Sequence, residues 1–284
     1  MADVIPAPSY AEHATVTVRR DDSLHSVPLN RTVRLDVVLP PGYEASQQAY
    51  PVLYMNDGQD LERLRMTAIL DSLYQKRAIR PFVLVAIHAS DRIQEYGTAA
   101  QADYMQRGSK AGLYSDFVLR ELIPYVKKHY RIHTDPASSV FAGFSLGGVS
   151  AFDMVFHHPD QFSKVGVFSG SFWWRSKSTA DGYRDETDRI MHNLVRKGSY
   201  HKSLKFWFET GTDDETSDRN NNGVIDSIDD TLDLISELVK KGYTYSVGSK
   251  LADIRYVEIK GGKHNQETWS EIMPDFLTWA FAKE

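Results

Sequence analysis

Apolar residues recur in short runs along the chain, and their spacing changes character near Pro51. Before it, residues 14–20 (ATVTVRR) and 31–39 (RTVRLDVVL) alternate apolar with polar, the period of two expected of half-buried strands. The turn-rich DDSLHSVPLN between them predicts that the two pair antiparallel. From Pro51 onward near-continuous apolar runs predict strands over 51–56, 82–88, 139–144, 164–169, 204–209 and 254–259. Amphipathic stretches over 60–79, 111–130, 146–158, 185–198, 230–241 and 266–281 predict the helices between them. Pro124 should kink the second of these or mark its last turns. Apolar strands separated by helices form a parallel sheet that is covered on both faces. The expected architecture is α/β, with a mostly parallel eight-stranded sheet and helices on both faces. No repeat and no low-complexity linker divides the chain, so residues 1–284 read as one domain with an N-terminal extension over about 1–13.

Composition narrows the function. A hydrophobic share of 42% against 25% charged residues is an ordinary globular balance. The net charge of −5 argues against nucleic acid or an anionic membrane as partner, and no apolar run approaches a bilayer span. With no cysteine, disulfides, thiolate metal sites and a cysteine nucleophile are excluded together. The start MADVIPAPSYAEH lacks a basic stretch followed by an apolar core. A protein shorn of its leader reads the same, so a periplasmic or secreted location is favoured if a leader was removed, and the cytoplasm otherwise.

The strongest chemical signal is Gly143-Phe144-Ser145-Leu146-Gly147-Gly148, between the run SSVFA and the helical VSAFDMVFHH. A serine on a sharp strand-to-helix turn leaves no room for side chains two residues to either side. Such a turn lifts the hydroxyl above the sheet and aims the helix N–H groups, beginning with Leu146, at a developing oxyanion. In a strand–turn–helix site of this kind the partners follow in the order serine, acid, histidine. Of the ten histidines only His264 lies beyond the last predicted strand, in the glycine-rich GGKHN. The acid belongs in the loop after the seventh strand, ETGTDDE (209–215), where residue spacing leaves Asp213 and Asp214 both open.

With these residues in place the chain resembles the esterase D-type branch of the α/β-hydrolases, which holds enterochelin esterases, feruloyl esterases, S-formylglutathione hydrolases and mycolyltransferases. The resemblance runs from about Val33 to the C-terminus. It rests on PPGYEASQQAYPVLYMNDGQ (40–59), ELIPYV (121–126), GFSLGG (143–148), HPDQFSKVGVFSGSFWW (158–174), GTDDE (211–215) and GGKH (261–264). It implies the α/β-hydrolase fold and a serine carboxylic-ester hydrolase needing no cofactor for catalysis. It also implies Asp214 as the acid and the Gln59 N–H, beside that of Leu146, as the second oxyanion donor. The segment SGSFWW resembles the enterochelin and carbohydrate-ester members, and Trp173 with Trp174 is expected to wall a bulky or aromatic ester substrate. The chain departs from the S-formylglutathione hydrolases in lacking their glycine-leucine-threonine-cysteine segment. It also lacks the long N-terminal domain of the cytoplasmic enterochelin esterases, so the siderophore substrate does not carry over.

Directly after the acid, DRNNNGVIDSID (218–229) fits a twelve-residue EF-hand loop. Asp218, Asn220, Asn222, Asp226 and Asp229 would supply side-chain oxygens to a structural Ca²⁺, and Val224 its carbonyl. Position 12 is aspartate rather than glutamate, and only the helix after the loop is expected. The leading reading is ester hydrolysis through an acyl-enzyme on a small-molecule or carbohydrate-linked ester. An acyltransferase using the same three residues and a non-catalytic calcium-stabilised binding module are the alternatives.

Overall fold

A computed structural model describes residues 15–249 and 251–283, so the extension expected over residues 1–13 lies outside the described residues. The strands are β1 (Thr17–Ser26), β2 (Arg31–Leu39), β3 (Val52–Asn56), β4 (Val83–Ile87), β5 (Ser139–Phe144), β6 (Lys164–Phe168), β7 (Lys205–Asp213) and β8 (Ile254–Lys263). They form one eight-stranded sheet in the order β1-β2-β4-β3-β5-β6-β7-β8. β1 and β2 pair antiparallel, as does β2 with β4, and every later pairing is parallel. Every residue of β3, β4 and β5 is buried, which is why these strands read as unbroken apolar runs.

The helices are α1 (Met66–Gln75), α2 (Arg92–Glu95), α3 (Ala111–Phe117), α4 (Ile123–His129), α5 (Leu146–His157), α6 (Asp185–Asp188), α7 (Ile190–Lys197), α8 (Asp226–Lys241) and α9 (Gln266–Ala280). They cover both faces. Phe117 of α3, Phe152 of α5, Val195 of α7 and Leu238 of α8 join one apolar cluster. Leu70 of α1 and Trp269 and Phe276 of α9 join the other, with Trp207 of β7. Withdrawing a side chain of this size from water stabilises the fold by roughly 1.5–3 kcal/mol each.

Several sequence expectations change in detail: the helix expected over 60–79 shortens to α1, and the one expected over 185–198 is split into α6 and α7 by the extended backbone of Arg189. The helix expected over 111–130 is α3 and α4 joined by a π-turn at Val118–Leu122, with Pro124 in the first turn of α4. Proline has no N–H to give and its ring crowds the carbonyl four residues back, and a wider turn relieves both. The segments 211–213 and 261–263, expected as loops, instead prolong β7 and β8, where Asp213 faces Lys263. A Cβ on Gly211 would stand 2.3 Å from the Gly262 carbonyl oxygen. Glycine at 211 therefore lets the two backbones close together just before Asp214 and His264.

Candidate active site

The carboxyl ends of β5, β6, β7 and β8 lie side by side in the sheet, and the residues that follow them line one cavity of about 240 Å³. Ser145 comes from β5, Ser169, Gly170 and Ser171 from β6, Asp214 from β7 and His264 from β8. In open α/β sheets this end of the strands is where ligands bind. Trp173, Glu215 and Ser227 complete the wall.

Ser145 stands at φ 54° and ψ −124°, a backbone state that a residue with a Cβ adopts only when its surroundings enforce it. The enforcement is visible. The Ser145 N–H donates to the Phe168 carbonyl at 2.9 Å, and its own carbonyl accepts from Gly148 at 3.0 Å and from Ser171 at 3.2 Å. A Cβ on Gly143 would fall 2.1 Å from the Gly147 carbonyl oxygen, and one on Gly147 would fall 2.8 Å from Asp57 Oδ2. Both glycines of the motif are thus dictated by contact. Leu146 opens α5, where the first N–H groups have no acceptor within the helix. Gln59 lies in a 3₁₀ turn at Gly58–Asp60, and its side chain donates to Asp57 at 3.0 Å and accepts from the Ala89 N–H at 3.2 Å.

Asp214 lines the cavity, while Asp213 is exposed and its carboxylate takes a hydrogen bond from neighbouring Thr212 at 3.4 Å. Asp214 Oδ1 accepts from the Ser169 hydroxyl at 3.1 Å, which in turn accepts from the Trp269 indole N–H at 2.9 Å. Asp214 Oδ2 is buried without a hydrogen-bond partner among the described residues. His264 packs its ring edge-on to Trp269 at 5.3 Å and makes no hydrogen bond to Asp214 or Ser145 among the described residues. The Ser145 hydroxyl instead lies 3.1 Å from that of Ser171. In ligand-free enzymes such contacts are commonly long and tighten when substrate binds. Burial holds the His264 imidazole below its ordinary range; the Asp214 charge opposes this and the Arg92 charge adds to it. Burial raises Asp214 above the usual carboxylate range, against its hydrogen bonds and the pull of His264. Beneath them Glu209, on β7, is 1% exposed, and neither of its carboxyl oxygens has a hydrogen-bond partner among the described residues. Burial, then the charge of Asp214, pushes its pKa up to about 8.

The tryptophan pair divides. Trp173 is part-buried and lines both this cavity and a second, more polar one of about 590 Å³, whose wall includes Tyr104, Arg107, Arg175 and Arg219. Trp174 does not wall the site. It is fully buried, its ring filling the space beside Gly97 and Gly108, where an added Cβ would meet it at 2.7 and 2.8 Å. Adjacent residues of an irregular turn point in different directions, and this one serves the core.

The loop 218–229 gathers part of its expected set. Asp218 accepts from the N–H groups of Asn222 and Gly223 at 3.1 and 2.9 Å, and Asp229 accepts from the side-chain amides of Asn220 and Asn222 at 3.0 and 2.7 Å. Asp226 is drawn away, since its carboxylate takes the Arg219 N–H at 2.8 Å and meets that guanidinium at 3.1 Å. Val224 turns its N–H to the Asn222 side chain at 2.8 Å. No cluster of three or more His, Asp or Glu side chains suited to a metal occurs among the described residues.

Sequence patterns did not reveal Ser169, Ser171, Arg92 or Glu209 as parts of this site. The first two sit in the SGS that the family resemblance used only as a match.

The chain has relatives among known proteins. Residues 26–280 match the model of the Esterase family. YbbA of Bacillus subtilis (strain 168), an uncharacterized protein, is 23% identical over 255 residues, 88% of this chain and 93% of its own. The iron(III) enterobactin esterase of Escherichia coli (strain K12) is 29% identical over 133 residues, which span 46% of this chain but 31% of that protein. The structure of a ferulic acid esterase, at 19% identity, superimposes with a TM-score of 0.69 over 94% of this chain and 98% of its own, a likeness of fold. By the reach of its family model and the agreement in fold, the chain belongs to the Esterase family and is a carboxylic-ester hydrolase of the α/β-hydrolase fold.

Proposed function

We propose that the chain hydrolyses bulky or aromatic esters through an acyl-enzyme on Ser145. The observation that carries this reading is the single cavity lined by a strained Ser145, Asp214 and His264 at adjacent strand ends. His264 takes the proton of the Ser145 hydroxyl as the oxygen attacks the ester carbonyl. The Leu146 and Gln59 N–H groups hold the oxyanion. Collapse expels the alcohol, which leaves with the proton from His264, and water activated by the same imidazole releases the acid. Asp214 orients the ring and stabilises the imidazolium. Fluorophosphonate treatment followed by peptide mass spectrometry tests the assignment. The expected adduct is on Ser145; an adduct on another serine, or none on a protein active toward esters, rejects it.

Relatives named for ferulic acid and for enterobactin support a substrate larger than an acetate ester. Trp173, standing between the two cavities, supports an aromatic contact within reach of the reacting carbon. Trp173→Ala is expected to raise KM for aryl esters severalfold more than for acetate esters. Trp174→Ala is expected to lower the melting temperature with no such preference, because it opens a cavity in the core. Equal effects of Trp173→Ala on both ester types would return that residue to packing.

The calcium loop belongs to the same proposal. Asp218 and Asp229 bring two carboxylates to one loop, with the side-chain amides of Asn220 and Asn222 beside Asp229. A cation that binds only the folded chain raises its melting temperature by mass action. Chelation is therefore expected to lower the melting temperature, calcium to restore it, and Asp218→Ala to abolish the response. A melting temperature indifferent to both additions rejects the ion.

A further inference from the structure

The two proposed oxyanion donors come from separate parts of the chain, Gln59 after β3 and Leu146 after β5. Nothing in either local sequence fixes the distance between them, yet a working oxyanion site tolerates displacements of only about 0.5 Å. Arg92, the first residue of α2, spans the gap. Its Nε and Nη2 donate to the two oxygens of Asp57 at 2.8 and 3.0 Å, and Nη2 also donates to the Phe144 carbonyl at 3.0 Å. Asp57 lies two residues before Gln59, and Phe144 immediately precedes Ser145. One guanidinium thus holds both halves.

The surroundings leave this arrangement little freedom. Asp57 is 2% exposed, sits in the left-handed region at φ 61°, and its N–H donates to the Tyr96 hydroxyl at 3.1 Å. Its carboxylate abuts Gly147, where a Cβ would approach Oδ2 to 2.8 Å. Next to it, Asn56 donates to the Gly147 carbonyl at 2.8 Å and accepts from the Tyr114 hydroxyl at 2.6 Å. The Arg92 guanidinium lies over the Tyr96 ring, 5.3 Å from its centre. A planar fork that makes two bonds to a carboxylate and a third to a carbonyl is a task lysine does not reproduce.

We infer that Arg92 is a positioning residue that locks the oxyanion turn to the nucleophile elbow, and that this register sets kcat. The inference rests on the acyl-enzyme reading proposed above. A salt bridge that merely neutralised the buried Asp57 would have a different signature, and one set of variants separates the two.

The experiment begins with fluorophosphonate labelling of the wild-type protein. Failure to label Ser145 would overturn the underlying reading, whatever Arg92 does. With labelling established, kcat and KM for a p-nitrophenyl ester and the melting temperature are compared for Arg92→Lys, Arg92→Gln and the double variant Arg92→Gln with Asp57→Asn. Asparagine tolerates the left-handed backbone and removes the unpaired charge, so the double variant folds even if Arg92→Gln does not. We expect Arg92→Lys and the double variant each to lose about 10²-fold in kcat, the scale set by a displaced oxyanion donor, with KM within about threefold of wild type. The double variant should also recover most of the melting temperature lost in Arg92→Gln. A double variant or a lysine variant with wild-type kcat would overturn the role and leave Arg92 as a counter-ion. A loss carried by KM alone would overturn it as well.

Discussion

Replacing Ser145 with alanine is expected to lower kcat by about 10⁴–10⁶-fold while leaving the melting temperature near that of the wild type. Alanine keeps the Cβ that the strained turn already accommodates, and among the described residues the hydroxyl's side-chain hydrogen bond is with Ser171. His264→Ala should come close to the same loss, and the double variant should be little worse than either single one, because the residues act as a unit. Asp214→Asn should cost less than His264→Ala and far more than Asp213→Asn, since Asp213 faces solvent. Steady-state kinetics on one activated ester checks the order. If Asp213→Asn is the more damaging, the acid is the neighbouring residue. The wild-type pH profile should show the same chemistry. A base held below the ordinary imidazole range stays neutral at lower pH, so the acid limb of kcat/KM should fall below about pH 6.5.

The second large effect concerns stability. The carboxyl oxygens of buried Glu209 have no hydrogen-bond partner among the described residues, and burial, then the charge of Asp214, pushes its pKa up to about 8 from an ordinary value of 4.5. In the unfolded chain it ionises near 4.5, while in the fold it stays protonated until about 8. Between those values the unfolded state binds fewer protons, so stability falls as pH rises through this window and levels off above it. Glu209→Gln keeps the neutral shape and removes the titration. Its melting temperature should exceed that of the wild type at pH 8 by an amount worth a few kcal/mol, and the difference should shrink toward zero near pH 4.5. Thermal unfolding of both proteins from pH 4.5 to 9 checks this, and a constant difference across the range would mean that Glu209 is ionised in the fold. The comparison must be between the two proteins at each pH, because His264 carries a slope of opposite sign: its depressed pKa costs stability as pH falls.

Much of this site is legible in the sequence wherever a residue type answers a local demand. The glycines around Ser145 are readable because the turn excludes a Cβ at both positions, and the contacts of Gly143 and Gly147 are of that kind. The eight strands are readable because those buried on both faces lose their polar alternation. Contacts between distant segments leave no such mark. Which of two adjacent tryptophans turns inward is decided by Gly97 and Gly108, more than sixty residues earlier. Asp226 fits a metal-loop position by spacing, but Arg219 claims its carboxylate. Glu209 follows the apolar run of β7 without any local sign that both its carboxyl oxygens are enclosed. The prolongation of β7 and β8 is likewise set by the close approach of Gly211 and Gly262, a pairing that neither segment announces alone.

The wall of the larger cavity has a consequence for how such an enzyme can change over time. Ser217, Asp218 and Arg219, which form one side of it, belong to the connection between β7 and α8 rather than to the sheet, and Asp226 opens α8. The residues proposed to break the bond, by contrast, sit at strand ends, where contacts admit almost no substitution at the flanking glycines. Selection for a new ester can therefore rewrite that connection, in length as well as in sequence, while the machinery stays where the strands hold it. Exchanges confined to 216–225 should shift the ranking of substrates and leave the fluorophosphonate reactivity of Ser145 unaltered, which makes this segment the natural place to diversify a library.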